Sequence, residues 1–320
     1  MGTGAKIAFV LLAAAAAPAS GQSGNYPTKP VRFIIPFPPG SSTNDILGRA
    51  IAQRLAEAFG QQVIVDNRPG AGGNLGSEIA SRSPPDGYTL LAGTNGPIAI
   101  SPHVYSKLGY DPLRDLAPVS LYATVPYAIF AHPSVKANNI DELVALAKAQ
   151  PGKLAYASSG NGGAPHLCME MFKTLTGTDI LHVPYKGGAP AAVDVLAGQV
   201  QLYCPGLTSV LQHVKAGRLK TIVVTMPQRT SFLPEASTST EQGHPGLLVN
   251  SWVGILAPAR TPAAILERIH AEVARAVGTA EMKAVLATNG AEPYLLGPKA
   301  FGEFLRAESE KWGKVARASK

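Results

Sequence analysis

The sequence predicts an α/β protein of two lobes, and three observations carry that prediction. The chain is 320 residues long, more than one compact core usually holds. Strand-like apolar runs alternate with helical segments from Val31 to Gly96, and the alternation starts afresh behind Pro126. A strand-like run over 250–258 then leads back toward the first series. The expected division is a leader over 1–19, one lobe from 26–125 plus 252–320, and a second lobe over 126–251.

The first stretch sets the pattern. Val31, Phe33, Ile34 and Ile35 form a short apolar run fit for a strand buried on both faces, cut off by Pro36, Pro38, Pro39 and Gly40. From Ile46 onward Leu47, Ala50, Ile51, Leu55 and Ala58 recur at helical spacing, with Arg49, Gln53, Arg54 and Glu57 between them. The intervening loop supplies Ser41, Ser42, Thr43 and Asn44 where a helix leaves its first N–H groups unpaired and carries partial positive charge. Such a loop is a seat for an anion.

QQVIVDNR reads as a second strand, PGAGGNLGSEIASR as a glycine-rich loop opening a helix, and YTLLAGTNG as a third strand ending in Thr94-Asn95-Gly96. Gly70, Gly72 and Gly76 are spaced one residue too widely for a dinucleotide fingerprint, and their plainer role is close helix–sheet approach. Residues 101–116 read as loop with at most a short helix. VSLYATVPYAIFAHP is a long β-rich stretch, interrupted by Pro126, suited to crossing between lobes. Behind it DELVALAKAQ, APHLCMEMFKTLTG and PAAVDVLAGQ read as helices among the strands LAYASSG, DILHVPY, QLYCPG and LKTIVVT. That alternation specifies a second parallel sheet. After NSWVGILAP the remainder reads as helical, with Thr261 as a cap and Pro262 in the first turn.

Apolar residues make up 46% and charged residues 15%, the composition of a folded globular chain. Lys6, the run IAFVLLAAAAA and Ala17-Pro18-Ala19 have the three parts of a secretory leader. The apolar run is about half the roughly 20 residues of a membrane span, so cleavage after Ala19 and export to the periplasm are expected. Loss of Lys6 takes the formal charge from +7 to +6. Lys and Arg are scattered, and with export this sets nucleic acid aside as a partner. The mild positive charge suits either solubility or the steering of small anions.

Cys168 and Cys204 are the only cysteines. An oxidising compartment permits a bridge, but a chain this long needs no staple, so the reading leans toward buried thiols and leaves a disulfide open. Ser158 and Ser159 precede His166, which raises a serine nucleophile with a histidine base. That chemistry needs an exposed G-x-S-x-G elbow, which neither serine occupies, so no catalytic residue is assigned. His166 reads instead as a ligand contact or a structural histidine. The remaining histidines show no metal-ligand spacing, and neither a metal nor a cofactor is expected. Asp45 fits a first-turn acid and a contact to a cationic ligand group equally well. Lys186 in YKGG reads as solvated rather than as a counter-ion. Phe37 and Tyr185 are equally core residues or a wall for a ring or acyl chain.

In order along the chain, PVRFIIPFPPG, VIVDNRPGAGGNLGSE, PDGYTLLAGTNG, YDPLRDLAPVSL, YASSGNGGAPH, HVPYKGGAPA and SWVGILAPA resemble the periplasmic substrate-binding proteins of tripartite tricarboxylate transporters, the Bug-type family. The resemblance runs from about Tyr26 to the C-terminus. It implies a type II-like periplasmic-binding-protein fold with a ligand cleft between two α/β lobes. It also implies a small carboxylate ligand, integral-membrane transporter subunits as partners, and a binding protein, expected to be a monomer, rather than an enzyme. Ligand-binding roles carry to Phe37, Ser41, Ser42 and Thr43 in one lobe, and to Ser158, Ser159, Gly160, Asn161 and Gly162 in the other. Thr94 and Asn95 match a third loop, and His166 and Tyr185 match residues near the cleft. Two features depart from the family pattern: GSSTND is one residue longer than the commoner GGSTD, and Pro205-Gly206 stands where members often carry Asp-Asn. The rival reading is an exported serine hydrolase acting on a small ester or amide through Ser158 or Ser159 with His166.

Overall fold

A computed structural model of the chain describes residues 1–2, 26–40, 43–161, 163–185 and 187–318. The core of the expected leader, Ser41, Ser42, Gly162 and Lys186 lie outside the described residues. The chain begins with β1 (Val31–Ile35), α1 (Thr43–Phe59), β2 (Val63–Asn67), α2 (Asn74–Ser81), β3 (Thr89–Gly93), α3 (Ser101–Val104) and α4 (Pro112–Asp115). The middle comprises β4 (Leu116–Pro126), β5 (Ala128–Ala131), α5 (Ile140–Ala149), β6 (Ala155–Ser158), α6 (Ala164–Thr176), β7 (Leu181–Pro184) and α7 (Gly188–Leu196). It continues through β8 (Leu202–Tyr203), α8 (Leu211–Lys215) and β9 (Lys220–Val224). Then come β10 (Asn250–Pro258), α9 (Ala263–Gly278), α10 (Ala280–Thr288), β11 (Glu292–Leu296) and α11 (Pro298–Ala318).

These strands form two mixed sheets of a two-lobed α/β fold. Sheet one has the order β11-β4-β10-β3-β1-β2 and sheet two the order β7-β6-β8-β5-β9. In β1 the pleat sends Val31, Phe33 and Ile35 to one face, where they meet Leu47, Ile51 and Leu55 of α1 and Ile269 and Val273 of α9. Ile34 goes to the other face, against Leu91, Trp252 and Phe301. An unbroken apolar run is therefore what this position demands, because helices cover both sides of the sheet. Burying each of these large side chains contributes about 1.5 to 3 kcal/mol.

Sheet two is mixed where the alternation predicts a parallel one. Strand β6 runs parallel to β7 and β8, but β5 is antiparallel to β8 and β9. The cause is entry: β5 follows β4 across a single residue, Tyr127, with no crossover helix to reverse its direction. The chain passes from sheet one to sheet two there and returns where β10 begins. Thr225 ties the two passages together. Its N–H donates to Tyr127 O at 2.9 Å, its hydroxyl reaches Val249 O at 2.7 Å, and its carbonyl accepts from Val249 N at 2.9 Å. Helix α11 spans both bodies, with Phe301 and Leu305 packed beside Trp252 and Trp312 buried in the sheet-two core.

Three local expectations change. Cys168 and Cys204 form a disulfide, with both residues fully buried in the sheet-two core. Packing of α6 onto the sheet brings together two positions 36 residues apart, which sequence spacing did not show. The C-terminal third is not all helical, because β11 pairs antiparallel with β4 at the sheet edge. Pro293, together with the exposed Tyr294 and Leu295, hides it from pattern reading, and an edge is where a strand tolerates proline. Helix α9 starts one residue late: Pro262 holds the cap position while the Thr261 hydroxyl donates to Pro258 O at 2.7 Å.

Candidate functional site

A cleft of about 770 Å³ opens between the two sheets. Loops following strands of both sheets line it, as expected where open α/β sheets end. From sheet one come Phe37, Gly40, the first turn of α1 with Thr43 and Asn44, and Thr94-Asn95-Gly96 after β3. From sheet two come Ser159, Gly160 and Asn161 after β6, the start of α6 at Gly163 to Pro165, and Gly187-Gly188 at the start of α7. Tyr127, Tyr203, Pro205, Gly206, Ser251 and Val253 add to the floor and far wall, and Ser101 and Tyr105 also line the cleft.

Glycine does specific work near this cleft. A Cβ on Gly76 would lie 2.8 Å from Arg68 O and 2.9 Å from Pro36 Cα, so only glycine lets α2 press against the loop after β1. Gly160 has φ +125°, a backbone that other residues rarely adopt, and it turns the loop after β6 toward the cleft.

Both helices that begin on the sheet-two side lack a side-chain cap: Gly163 precedes α6 and Gly187 precedes α7. Both helix starts line the cleft, so their first N–H groups, apart from Pro165 which has none, lie beside it without a side-chain cap and with the positive end of the helix dipole behind them. Thr43, Ser159 and Asn161 add side-chain donors that have no hydrogen-bond partner among the described residues. No Lys, Arg, His, Asp or Glu occurs in the described lining.

Four candidates from the sequence lie outside this lining. The Asp45 carboxylate is fully buried and accepts from Gly40 N at 2.7 Å, Asn67 Nδ2 at 2.7 Å and Arg49 Nε at 3.1 Å. Burial acts to raise its pKa, but the Gly40 N–H, Asn67 and Arg49 outweigh that and hold it below the usual carboxylate range. Asp45 thus braces the loop at Gly40, and it does so from the first turn, where helices favour an acid. Tyr185 donates from its hydroxyl to Asp194 Oδ2 at 2.7 Å.

Ser158 is fully buried, 2.7 Å from His182 Nε2, and its oxygen accepts from Gly160 N at 3.2 Å. His182 stacks on Tyr156 with ring centroids 4.8 Å apart and lies 4.2 Å from the His166 ring. Of the two serines in the hydrolase reading, Ser158 therefore pairs with His182 rather than His166 and lies outside the cleft lining, while Ser159 lines the cleft with no hydrogen bond to a histidine among the described residues. Residues the sequence reading did not single out include Tyr127, on the link between β4 and β5, and Tyr203, Ser251 and Val253, which reach the cleft from strands remote in sequence.

Burial, then the neighbouring His166, pushes His182 down to about 4 from an ordinary 6.5. The unfolded chain takes up this proton first, so the contribution is full above about pH 6.5 and declines as pH falls toward about 4. Thermal melts from about pH 7 to about pH 4.5 should show that decline, and His182→Gln should flatten it. Identical pH profiles for the two proteins would remove His182 from the account.

The residues matched by the family description "Tripartite tricarboxylate transporter family receptor" run from 47 to 320, most of the chain and every strand but β1. The chain belongs to this receptor family. It is 34% identical over 310 residues to protein BugT of Bordetella pertussis, covering 97% of this chain and 94% of that one. Among solved structures of similar proteins, R. palustris Rpa4515 with adipate is 36% identical with a TM-score of 0.80, over 92% of this chain and 98% of the other. MatC from Rhodopseudomonas palustris with bound malate is 27% identical with a TM-score of 0.76, over 91% and 100%. The Bug-type resemblance seen in the motifs thus extends through nearly the whole chain, and the receptor family's two-lobed fold is the fold found here.

Proposed function

We propose that this chain is a monomeric periplasmic receptor that captures a small carboxylate between two lobes and delivers it to the integral-membrane subunits of a tripartite tricarboxylate-type transporter. The carrying observation is the convergence of neutral donors and uncapped helix starts on a cleft whose described lining holds no charged side chain. A carboxylate at such a place is stabilised by charge-assisted hydrogen bonds rather than by an ion pair. The ligands named for Rpa4515 and MatC, adipate and malate, support the same class of solute. The lobes are residues 26–125 with 252–320 and residues 126–251, and they close about the passages tied by Thr225. The ligand contacts proposed for this receptor include Ser41, Ser42 and Gly162, as the family resemblance implies. The hydrolase reading is weaker, because the Ser158 hydroxyl is buried against His182, and Ser159, which does line the cleft, has no histidine hydrogen-bonded to it among the described residues to serve as its base.

Native mass spectrometry of gently purified protein is expected to reveal a retained acid, and calorimetry with that acid tests how it is held. Thr43→Ala and Ser159→Ala should each weaken binding by about 10- to 100-fold, as loss of one charge-assisted bond requires. Each should cost more than Lys186→Ala, and added salt should have little effect because short buried contacts are poorly screened. Should Lys186→Ala alone abolish binding while both hydroxyl changes are silent, an ion pair replaces this mechanism.

A further inference from the structure

The far wall of the cleft carries a fixed hydroxyl that the fold itself does not use. Around the floor the polar side chains are spent on one another. Thr94 Oγ1 and Ser251 Oγ each donate to Asn95 Oδ1 at 3.1 Å, and Asn95 Nδ2 donates to Asn250 O at 3.2 Å. Ser209 Oγ donates to Gly206 O at 2.9 Å, and the Tyr203 hydroxyl donates to Gly188 O at 3.5 Å. Pro205-Gly206, one of the two departures from the family pattern, brings no side-chain hydrogen-bonding group to this wall. Outside the facing loops, the lining hydroxyls without a hydrogen-bond partner among the described residues are those of Ser101, Tyr105 and Tyr127.

Of these, Tyr127 is held in place from two sides. It is the single residue between β4 and β5, and its carbonyl accepts from Thr225 N at 2.9 Å and Thr225 Oγ1 at 3.0 Å. Its backbone also pairs with that of Gly206. A Cβ on Gly206 would meet Val125 Cγ1 at 3.1 Å and Tyr127 Cε2 at 3.2 Å, so glycine there gives the ring room against the wall. Burial, then the neighbouring Tyr203, pushes the Tyr127 hydroxyl above its ordinary 10, so it stays protonated and offers an O–H. Tyr105 is 47% exposed and reaches solvent, and Ser101 opens α3 on the sheet-one side.

Resting on the carboxylate-receptor reading, we propose that Tyr127 is a specificity-determining residue, its hydroxyl donating to a second oxygen acceptor on the ligand, away from the carboxylate held by the facing loops. The class of ligand is a carboxylate that carries another carboxylate or a comparable oxygen group at its far end. The first carboxylate takes the donors at Thr43, Ser159, Asn161 and the helix starts, and the second group takes the Tyr127 O–H. A site with a placed donor disfavours an analogue that lacks the acceptor, because the hydroxyl then gives up water and gains no partner. A charged acceptor makes the bond stronger.

Calorimetry with two matched pairs tests this: hexanoate with adipate, and pentanoate with glutarate, each pair differing only in the far carboxylate. On the unaltered protein, at least one diacid is expected to bind at least about tenfold more tightly than its monoacid. Tyr127→Phe removes the hydroxyl and keeps the ring, and it should bring the two members of that pair within about threefold of each other. No preference for the diacid in either pair, or a preference that survives Tyr127→Phe, overturns the proposal while leaving the carboxylate-receptor reading intact. No heat from any of these acids, nor from malate, citrate or glutamate, overturns that reading and the proposal with it.

Discussion

Replacing Cys168 and Cys204 together by alanine is expected to lower stability by about 3 to 4 kcal/mol, the value for releasing a closed loop of this length in the unfolded chain. The bridge joins positions 36 residues apart, from α6 to the segment after β8. Both residues are fully buried in the sheet-two core, so the double change also removes packing atoms from a closed site. Urea unfolding of the oxidised protein, the protein unfolded and refolded under reductant, and the double variant measures the effect. The two altered forms should unfold at similar, lower urea concentrations. Coincident midpoints for all three would show that the bridge contributes nothing. Ligand affinity is a separate readout: Cys204 is followed directly by Pro205 and Gly206 of the cleft wall, so loosening the bridge should weaken binding as well as stability.

Asp45→Ala should cost about 3 kcal/mol, the low end for breaking a buried charged pair, since Arg49 is half exposed and recovers some hydration. The carboxylate gathers three donors from three places: the loop at Gly40, the end of β2 at Asn67, and Arg49 one turn along α1. Without it, the Gly40 N–H and the Asn67 amide each lose an acceptor, and Asn67 Nδ2, which also donates to the Phe37 carbonyl at 2.8 Å, loses one of its anchors. Arg49→Ala leaves that buried carboxylate without its counter-charge but should still cost less, because the Gly40 N–H and Asn67 Nδ2 continue to hold it. The pH dependence follows from the sign of the shift. The folded pKa lies below the ordinary 3.8, so Asp45 stabilises fully above that pH and its contribution is lost as pH falls below it. Urea midpoints at neutral pH for the two variants decide the ranking. An Asp45→Ala protein as stable as the parent would leave the carboxylate without a structural role.

Which parts were legible follows from how local each signal is. The strand over 31–35, the helix that follows and the restart behind Pro126 were readable because side-chain period and proline punctuation act over a few residues. The same locality placed Phe37, Thr43, Thr94, Asn95, Ser159, Gly160 and Asn161 in loops at strand ends, and the fold brings these residues to one cleft. For Asp45 the sequence offered two roles of equal weight, and the contacts with Gly40, Asn67 and Arg49 decide for the brace. Ser158 at the end of β6, His166 in the first turn of α6 and Tyr185 after β7 adjoin the cleft loops but contact their own lobe, at His182, Tyr156 and Asp194.

The sequence by itself determined the α/β class, the restart of the series and the donor-rich loops, because each is written in a short window of residue types. Only the tertiary structure decided the direction of β5, the pairing of Cys168 with Cys204, the edge strand β11, and the aromatic wall of Tyr127 and Tyr203. Each of these depends on which distant segments pack together, and packing partners far apart along the chain leave no periodic trace in either one.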